Sequence, residues 1–411
     1  MSGVMESGGE GGAGRGTRTI LWIVFTTILI DFIGFGVLIP VLPLFADRLG
    51  ATPVQVGLIL TVYALAQLLF LPVWGWFSDR IGRRPIILVS LFGTAVSFAV
   101  LAASESLGMI YLSRALAGFF AASIGTAQAV VTDVTEPRDR ARGMGLIGAS
   151  FGLGMVIGPT LGGLLAPYGE RLPFYAITVL ASVNLVAAWF RLPESRPPEL
   201  RRPDYGSLRK SFIPTPIRLM SAVHERRIAL FLYLFFHMFT AFAALEAMFT
   251  LYLGERYGLG ARQAGLIFGW IAIFIALTQG FLVGRLALRF SEVHLVVAGL
   301  IATGCGLAAI GMVPSYPWLF LVGPIIAIGN GIAFPSFSSL YSKACEAEQV
   351  GELLGQSQSM ATSGRVVGPI WAGLAMGGIQ LEAPFVIGGV LMLISCLIFI
   401  LTRRILVGEL T

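Results

Sequence analysis

Twelve separate runs of about twenty apolar residues limit what this chain can become more than any other feature, because a helix of that length crosses about 30 Å of hydrocarbon. They lie near residues 19–46, 55–77, 85–103, 108–131, 143–166 and 172–190, then near 228–253, 263–284, 293–313, 317–340, 352–376 and 383–402, and form spans 1 to 12. The first run is too long for a signal-peptide core, contains Asp31 and lacks a cleavage site before Asp47, so it stays in the protein. With 56% hydrophobic and 12% charged residues and a mean hydropathy of +0.84, a water-facing fold is excluded. The expected fold is an all-α integral membrane protein, twelve transmembrane helices in two six-helix halves, residues 19–190 and 228–403. A Gly-rich tail (1–18) is expected to be disordered, and a Pro-rich linker (191–227) and a short tail (404–411) complete the chain.

Cations cluster on one side. With the N-terminus inside, the linker, the tails and the connections after spans 2, 4, 8 and 10 hold most of the 28 Lys and Arg, whereas the opposite side has Arg48, Arg171, Arg256 and Arg262. Both termini are therefore expected in the cytoplasm and the protein in a cell membrane. No basic run with interleaved aromatics points to nucleic acid. Cys305, Cys345 and Cys396 form neither a paired motif nor a disulfide framework, and no HExxH, Walker or EF-hand pattern occurs, so no metal or cofactor is expected.

The connection between spans 2 and 3 reads Gly75-Trp76-Phe77-Ser78-Asp79-Arg80-Ile81-Gly82-Arg83-Arg84-Pro85. So tight a hairpin needs a residue such as Gly82 that accepts positive φ, and Pro85 fits the first turn of the next helix. In span 5, Gly154-x-x-x-Gly158-Pro159-x-x-Gly162-Gly163 recurs in span 11 as Gly364-x-x-x-Gly368-Pro369-x-x-Ala372-Gly373. Gly280, Arg285 and Arg289 are a worn copy of Gly75, Arg80 and Arg84. Two halves related by duplication, with a midplane cavity between them, suit a transporter that rocks between two openings.

The 2/3 connection resembles the signature of the major facilitator superfamily. The span 5 run, with Ile30-Asp31-Phe32-Ile33-Gly34-Phe35-Gly36 through Pro40-x-x-Pro43 in span 1, is similar to the drug:proton antiporter branch, most of all its tetracycline-resistance group. The resemblance implies proton-coupled efflux of a lipophilic or amphiphilic small molecule by alternating access. It implies a conformational gate of Gly75, Asp79, Arg80, Gly82, Arg83 and Arg84, with Asp133 pairing with Arg83. Asp79 is expected to dock at the start of span 11, near Gly351 to Gly355, where free N–H groups favour an anion. Arg114-x-x-x-Gly118 resembles the family's motif in span 4. Spans 8 and 9 lack the ionisable residues of the tetracycline group, His294 excepted, which implies a broader lipophilic drug or endogenous amphiphile.

Charges inside spans cost at least about 2.5 kcal/mol each on insertion scales, so Asp31, Arg114, Glu246 and Arg365 should face a cavity or a partner. Asp31 lies about eleven residues, roughly 16 Å, from the cytoplasmic end of span 1 and is expected to carry the coupling proton. Arg114 is its expected cationic neighbour, Glu246 the reserve carrier, and His237 stands beside the same path. Phe35, Tyr63, Gln67, Phe242, Trp270, Asn330, Phe334, Gln358 and Arg365 are expected at the substrate. The expected partners are a small molecule, protons and membrane lipid, for a monomer. A symporter or facilitator of a small polar solute is the alternative. A remoter one is a membrane serine hydrolase built on Gly148-Ala149-Ser150-Phe151-Gly152, but that pentad lies in a long apolar helix rather than a strand-to-helix turn, so no enzyme activity is expected.

Overall fold

In a computed structural model of the protein, residues 10–136, 139–201, 226–344 and 350–407 are described; 1–9 and 408–411 of the expected tails and 202–225 of the expected linker lie outside them. Spans 1 to 3 are the helices Glu10–Arg48, Pro53–Ile81 and Arg83–Ala102, and span 4 is two helices, Leu107–Phe119 and Ser123–Val134. Spans 5 to 7 are Arg140–Leu165, Leu172–Arg191 and Arg226–Tyr257. Span 8 runs from Ala261–Leu277 through a π-helical turn, Thr278–Leu282, to Val283–Ala287, and spans 9 to 12 are Glu292–Ile310, Leu319–Lys343, Val350–Gly378 and Ala383–Val407. The first helix begins at Glu10, so residues 10–18, expected as a disordered tail, are helical.

Eleven of these helices are long and apolar enough to cross a membrane among the described residues. Span 11 has the length, 29 residues, but its first half carries Gln356-Ser357-Gln358-Ser359 and then Arg365, too polar a stretch to pass on composition. It is packed between spans 2 and 7, so protein rather than lipid covers much of it.

Local chemistry sets the ends. Span 2 opens with a reciprocal cap in which the Gln55 N–H donates to Thr52 Oγ1 (3.3 Å) and the Thr52 N–H to Gln55 Oε1 (2.8 Å), with Pro53 in the first turn. Between spans 2 and 3 the loop of about six residues expected from the sequence shrinks to Gly82 alone, with a φ of 110°.

Span 4 was expected to be continuous and is broken at Phe120–Ala122. Two neighbours take up the freed backbone groups: Trp74 Nε1–H donates to Phe119 O (2.5 Å), Ser90 Oγ donates to Phe120 O (2.6 Å), and the Ala122 N–H donates back to Ser90 Oγ (3.3 Å). The Phe120 ring sits where a side chain on Gly93 of span 3 would stand.

Packing obeys the duplication. A Cβ on Gly158 would lie 2.6 Å from Ile33 O and 2.8 Å from Gly36 Cα, so span 5 rides directly on the backbone of span 1; a Cβ on Gly364 would lie 2.7 Å from Phe236 O, so span 11 rides likewise on span 7. The last glycine of each motif reaches the other half. A Cβ on Gly163 would meet Ala261 O at 2.9 Å in span 8, and one on Gly373 would meet Pro53 O at 2.6 Å in span 2.

These cross-half contacts lie at the end away from the chain termini. Thr61 Oγ1 donating to Val366 O (2.8 Å) and Thr250 Oγ1 donating to Ile39 O (3.1 Å) reinforce them. Toward the terminal end the same four spans carry Gly75, Gly145, Gly148, Gly152, Gly280, Gly284 and Gly355, and a Cβ on any of these would have nothing within 4 Å. The halves are closed at the distal end and parted at the terminal end.

Candidate functional site: a central cavity and a charged gate

At the closed tip of the cleft, Phe35, Leu60 and Tyr63 from spans 1 and 2, Arg114 from span 4 and Glu246 from span 7 line a pocket of about 40 Å³, room for a water or two. The Tyr63 ring lies 6.2 Å from Phe35, and its hydroxyl accepts from Gln67 Nε2 (3.4 Å). Arg365 of span 11 reaches over the rings of Phe35 and Phe239, at 5.6 Å from each, with its guanidinium 3.6 Å from Glu246 Oε1. Phe334 packs edge-on against Phe239 at 5.5 Å.

Arg114 and Asp31 do not pair. Asp31 accepts from Ser123 Oγ, at the N-terminal turn of the second helix of span 4, and from Thr94 Oγ1 of span 3 (3.4 Å). The break in span 4 thus gives the carboxylate a helix N-terminus and two hydroxyls as partners. Arg114 is 1% exposed, bonded to Ser113 Oγ (2.9 Å) and 5.3 Å from the Phe98 ring.

At the terminal end Arg83 is the hub. Its guanidinium bonds Asp79 Oδ1 (2.8 Å), Asp133 Oδ2 (3.1 Å) and Ser78 Oγ (3.0 Å), while Arg196 from the start of the linker reaches the same Asp79 oxygen at 3.0 Å. Glu194 Oε1 accepts from the Arg83 N–H (2.8 Å), and its carboxylate fills the space beside Gly82. Arg80 stacks on Trp76, 3.7 Å above the ring, and Arg84 donates to Trp189 O of span 6 (2.6 Å). The side chains of residues 350–354, at the start of span 11 where Asp79 was expected to dock, lie outside those described.

The family model described as Major Facilitator Superfamily matches residues 24–369 and 261–408. The chain belongs to the Major Facilitator Superfamily. Within this superfamily it is 31% identical over 364 residues to the class C tetracycline resistance protein of Escherichia coli, covering 86% of this chain and 89% of that one. It is 30% identical over 367 residues to multidrug resistance protein 1 of Bacillus subtilis, covering 89% and 91%. A crystal structure of the human organic anion transporter MFSD10 superposes with a TM-score of 0.70 at 25% identity, over 93% of this chain and 99% of that one. These relatives support the drug:proton antiporter branch and a transporter rather than an enzyme, in a multi-pass membrane protein.

Two expected positions fall elsewhere in this superfamily member. His237 stacks on Tyr233, which is 45% exposed, and hydrogen-bonds Ser395 of span 12 (2.6 Å); it sits on the outer face of its half, because the nine positions to Glu246, at about 100° each, turn the two side chains to opposite sides of span 7. Trp270 shares the exposed stripe of Leu266, Ile273 and Leu277 on span 8 and donates to Phe320 O (3.0 Å), so it faces away from the cleft. Ser150 is fully buried and donates to Leu146 O and Phe25 O, which leaves the G-x-S-x-G pentad without the exposed nucleophile a hydrolase needs. Phe242 is half-buried, Asn330 is half-buried in span 10 and Gln358 is exposed in span 11. Thr94, Ser123, Glu194, Arg196 and Phe239 were missed; Thr94 and Ser123, hydroxyls in mid-run, carried a signal.

Proposed function

We propose that this transporter exports a lipophilic or amphiphilic small molecule in exchange for protons, by alternating access, in the inner or plasma membrane with both termini in the cytoplasm. The observation that carries this reading is an aromatic-lined cleft between duplicated halves, open toward the termini and sealed at the other end, with Asp31 half-buried beside it. The excess of Lys and Arg on the terminal side makes the present opening the cytoplasmic one. The names of the relatives, for tetracycline, several drugs and organic anions, support an amphiphilic cargo.

In this reading substrate enters the open cleft and settles against Phe35, Tyr63 and Phe239. Asp31 carries the coupling proton. Ionised, it is held by Ser123, Thr94 and the N-terminal turn of Ser123–Val134; protonated, it no longer answers that dipole. The same short helix bears Asp133 at its other end, bonded to Arg83, so a shift at the proton site is delivered to the gate. When the terminal end closes, Asp79 exchanges Arg196 for the start of span 11, and the distal contacts of Gly163 and Gly373 part.

The test is substrate flux in proteoliposomes under an imposed pH gradient, with a panel of lipophilic cations, neutral drugs and sugars. Amphiphiles are expected to exchange with protons, and Asp31→Asn to abolish gradient-driven accumulation while keeping substrate binding. Accumulation by Asp31→Asn with an unchanged pH dependence would move the proton to Glu246. Co-transport of a sugar with protons would establish the symporter alternative.

A further inference from the structure

Two opposite charges face the closed tip of the cleft without a settled partner, one from each half. Arg114 is almost fully buried, yet among the described residues its guanidinium makes one hydrogen bond, to Ser113, and its Nε has none. Among the described residues no carboxylate forms an ion pair with it, because Asp31 gives its oxygens to Ser123 and Thr94. A guanidinium has five N–H groups to satisfy, and a buried one left short of acceptors is held at considerable cost. Glu246 lines the same pocket, and its one described partner is Arg365 at 3.6 Å, beyond hydrogen-bond length. Arg365 in turn is occupied by the rings of Phe35 and Phe239. The pocket therefore offers a forked donor on one wall, an acceptor on the other and aromatic surface between.

We propose that the substrate is a dipolar amphiphile: an acidic group docks on Arg114, a basic group on Glu246, and an aromatic or aliphatic body lies along Phe35 and Tyr63. This rests on the reading of the cleft as the substrate path and narrows the class of molecule it takes. A ligand held through both charges bridges the two halves and draws them together over its head group. One that lacks the acid leaves Arg114 as unsatisfied as in the empty cleft, and a charge-assisted hydrogen bond in so dry a site is expected to separate the two ligands by at least about tenfold in affinity.

A matched set of fluorescent probes isolates each charge. Nε-dansyl-lysine has the acid and the amine, dansylcadaverine is the same skeleton without the acid, and dansyl-6-aminohexanoic acid keeps the acid and loses the amine. Binding to the purified full chain in nanodiscs is read by dansyl emission. Dansyl-lysine is expected to bind at least about tenfold tighter than either single-charge probe. Arg114→Gln should remove its advantage over dansylcadaverine, and Glu246→Gln its advantage over the hexanoic acid. Arg114→Lys, which keeps the cation in a variant nearer to wild type, should retain part of the preference, and each variant is taken through size-exclusion to confirm folding. Equal binding of all three probes by wild type, or a preference for the acid that survives in folded Arg114→Gln, overturns the proposal and leaves the exporter reading standing. Tighter binding of dansylcadaverine overturns it in favour of a simple cation. Binding of none of the probes overturns the proposal, and the flux assay decides the exporter reading separately.

Discussion

Gly82 has a φ of 110° and the carboxylate of Glu194 where a side chain would begin, so two separate constraints act on one atom. Gly82→Ala is expected to cost about 1–3 kcal/mol, seen as a lowered thermal midpoint in detergent. Adding Glu194→Ala should recover part of that loss, because it removes the collision and leaves the backbone strain; full additivity of the two losses would contradict the geometry. The need for glycine was legible in the sequence because a hairpin this tight dictates it locally. Glu194 was not, since its role comes from a linker folded back over the turn. The same limit explains Asp31 and Arg114. Their depths were readable from the helix rise, but their directions around spans 1 and 4 depend on a break that no proline announces.

That break is held from outside. Phe120, Ala121 and Ala122 continue an apolar run, and the helix stops because Trp74, Ser90 and the Phe120 ring against Gly93 offer its backbone other partners. Ser90→Ala removes two hydrogen bonds at the break, leaving the Phe120 carbonyl and the Ala122 N–H only each other (2.7 Å), and is expected to destabilise the protein by about 1–3 kcal/mol. It should also weaken coupling of proton to substrate flux; unchanged stability would mean that the break holds itself. Span 5 gives the converse case, in which the motif was readable and its partner was not. Gly158→Leu would drive four carbons into the Ile33 carbonyl and Gly36, and overpacking of that kind costs about 1–3 kcal/mol. Transport by this variant is expected to be lost or uncoupled, whereas wild-type flux would contradict contact between spans 1 and 5. Span 11 was legible from length and from its copy of the span 5 motif, though its polar first half fails a test of composition.

The duplication visible in the glycines extends to charges that the sequence comparison did not connect. Arg48–Glu170 ties the distal end of span 1 to the 5/6 turn, as Arg256–Glu382 (3.3 Å) ties span 7 to the 11/12 turn. Arg83–Asp133 joins the starts and ends of spans 3 and 4 at 3.1 Å, while Glu292–Lys343 joins spans 9 and 10 at 2.8 Å with the signs exchanged. Each half is thus stapled within itself at both ends, and the contacts between halves, made through glycine backbone and the hydroxyls of Thr61 and Thr250, are left free to part. Two rigid halves about one cavity must open at one end as they close at the other. Spin-label distances across the two ends test this, in a protein lacking Cys305, Cys345 and Cys396, with one label pair at Gly75 and Gly355 and the other at the exposed Tyr168 and Met312. Substrate and pH are expected to shorten one distance as they lengthen the other, and Asp31→Asn to remove the pH response of both. Distances that move together, that do not move, or that follow pH unchanged in Asp31→Asn would contradict proton-coupled alternating access.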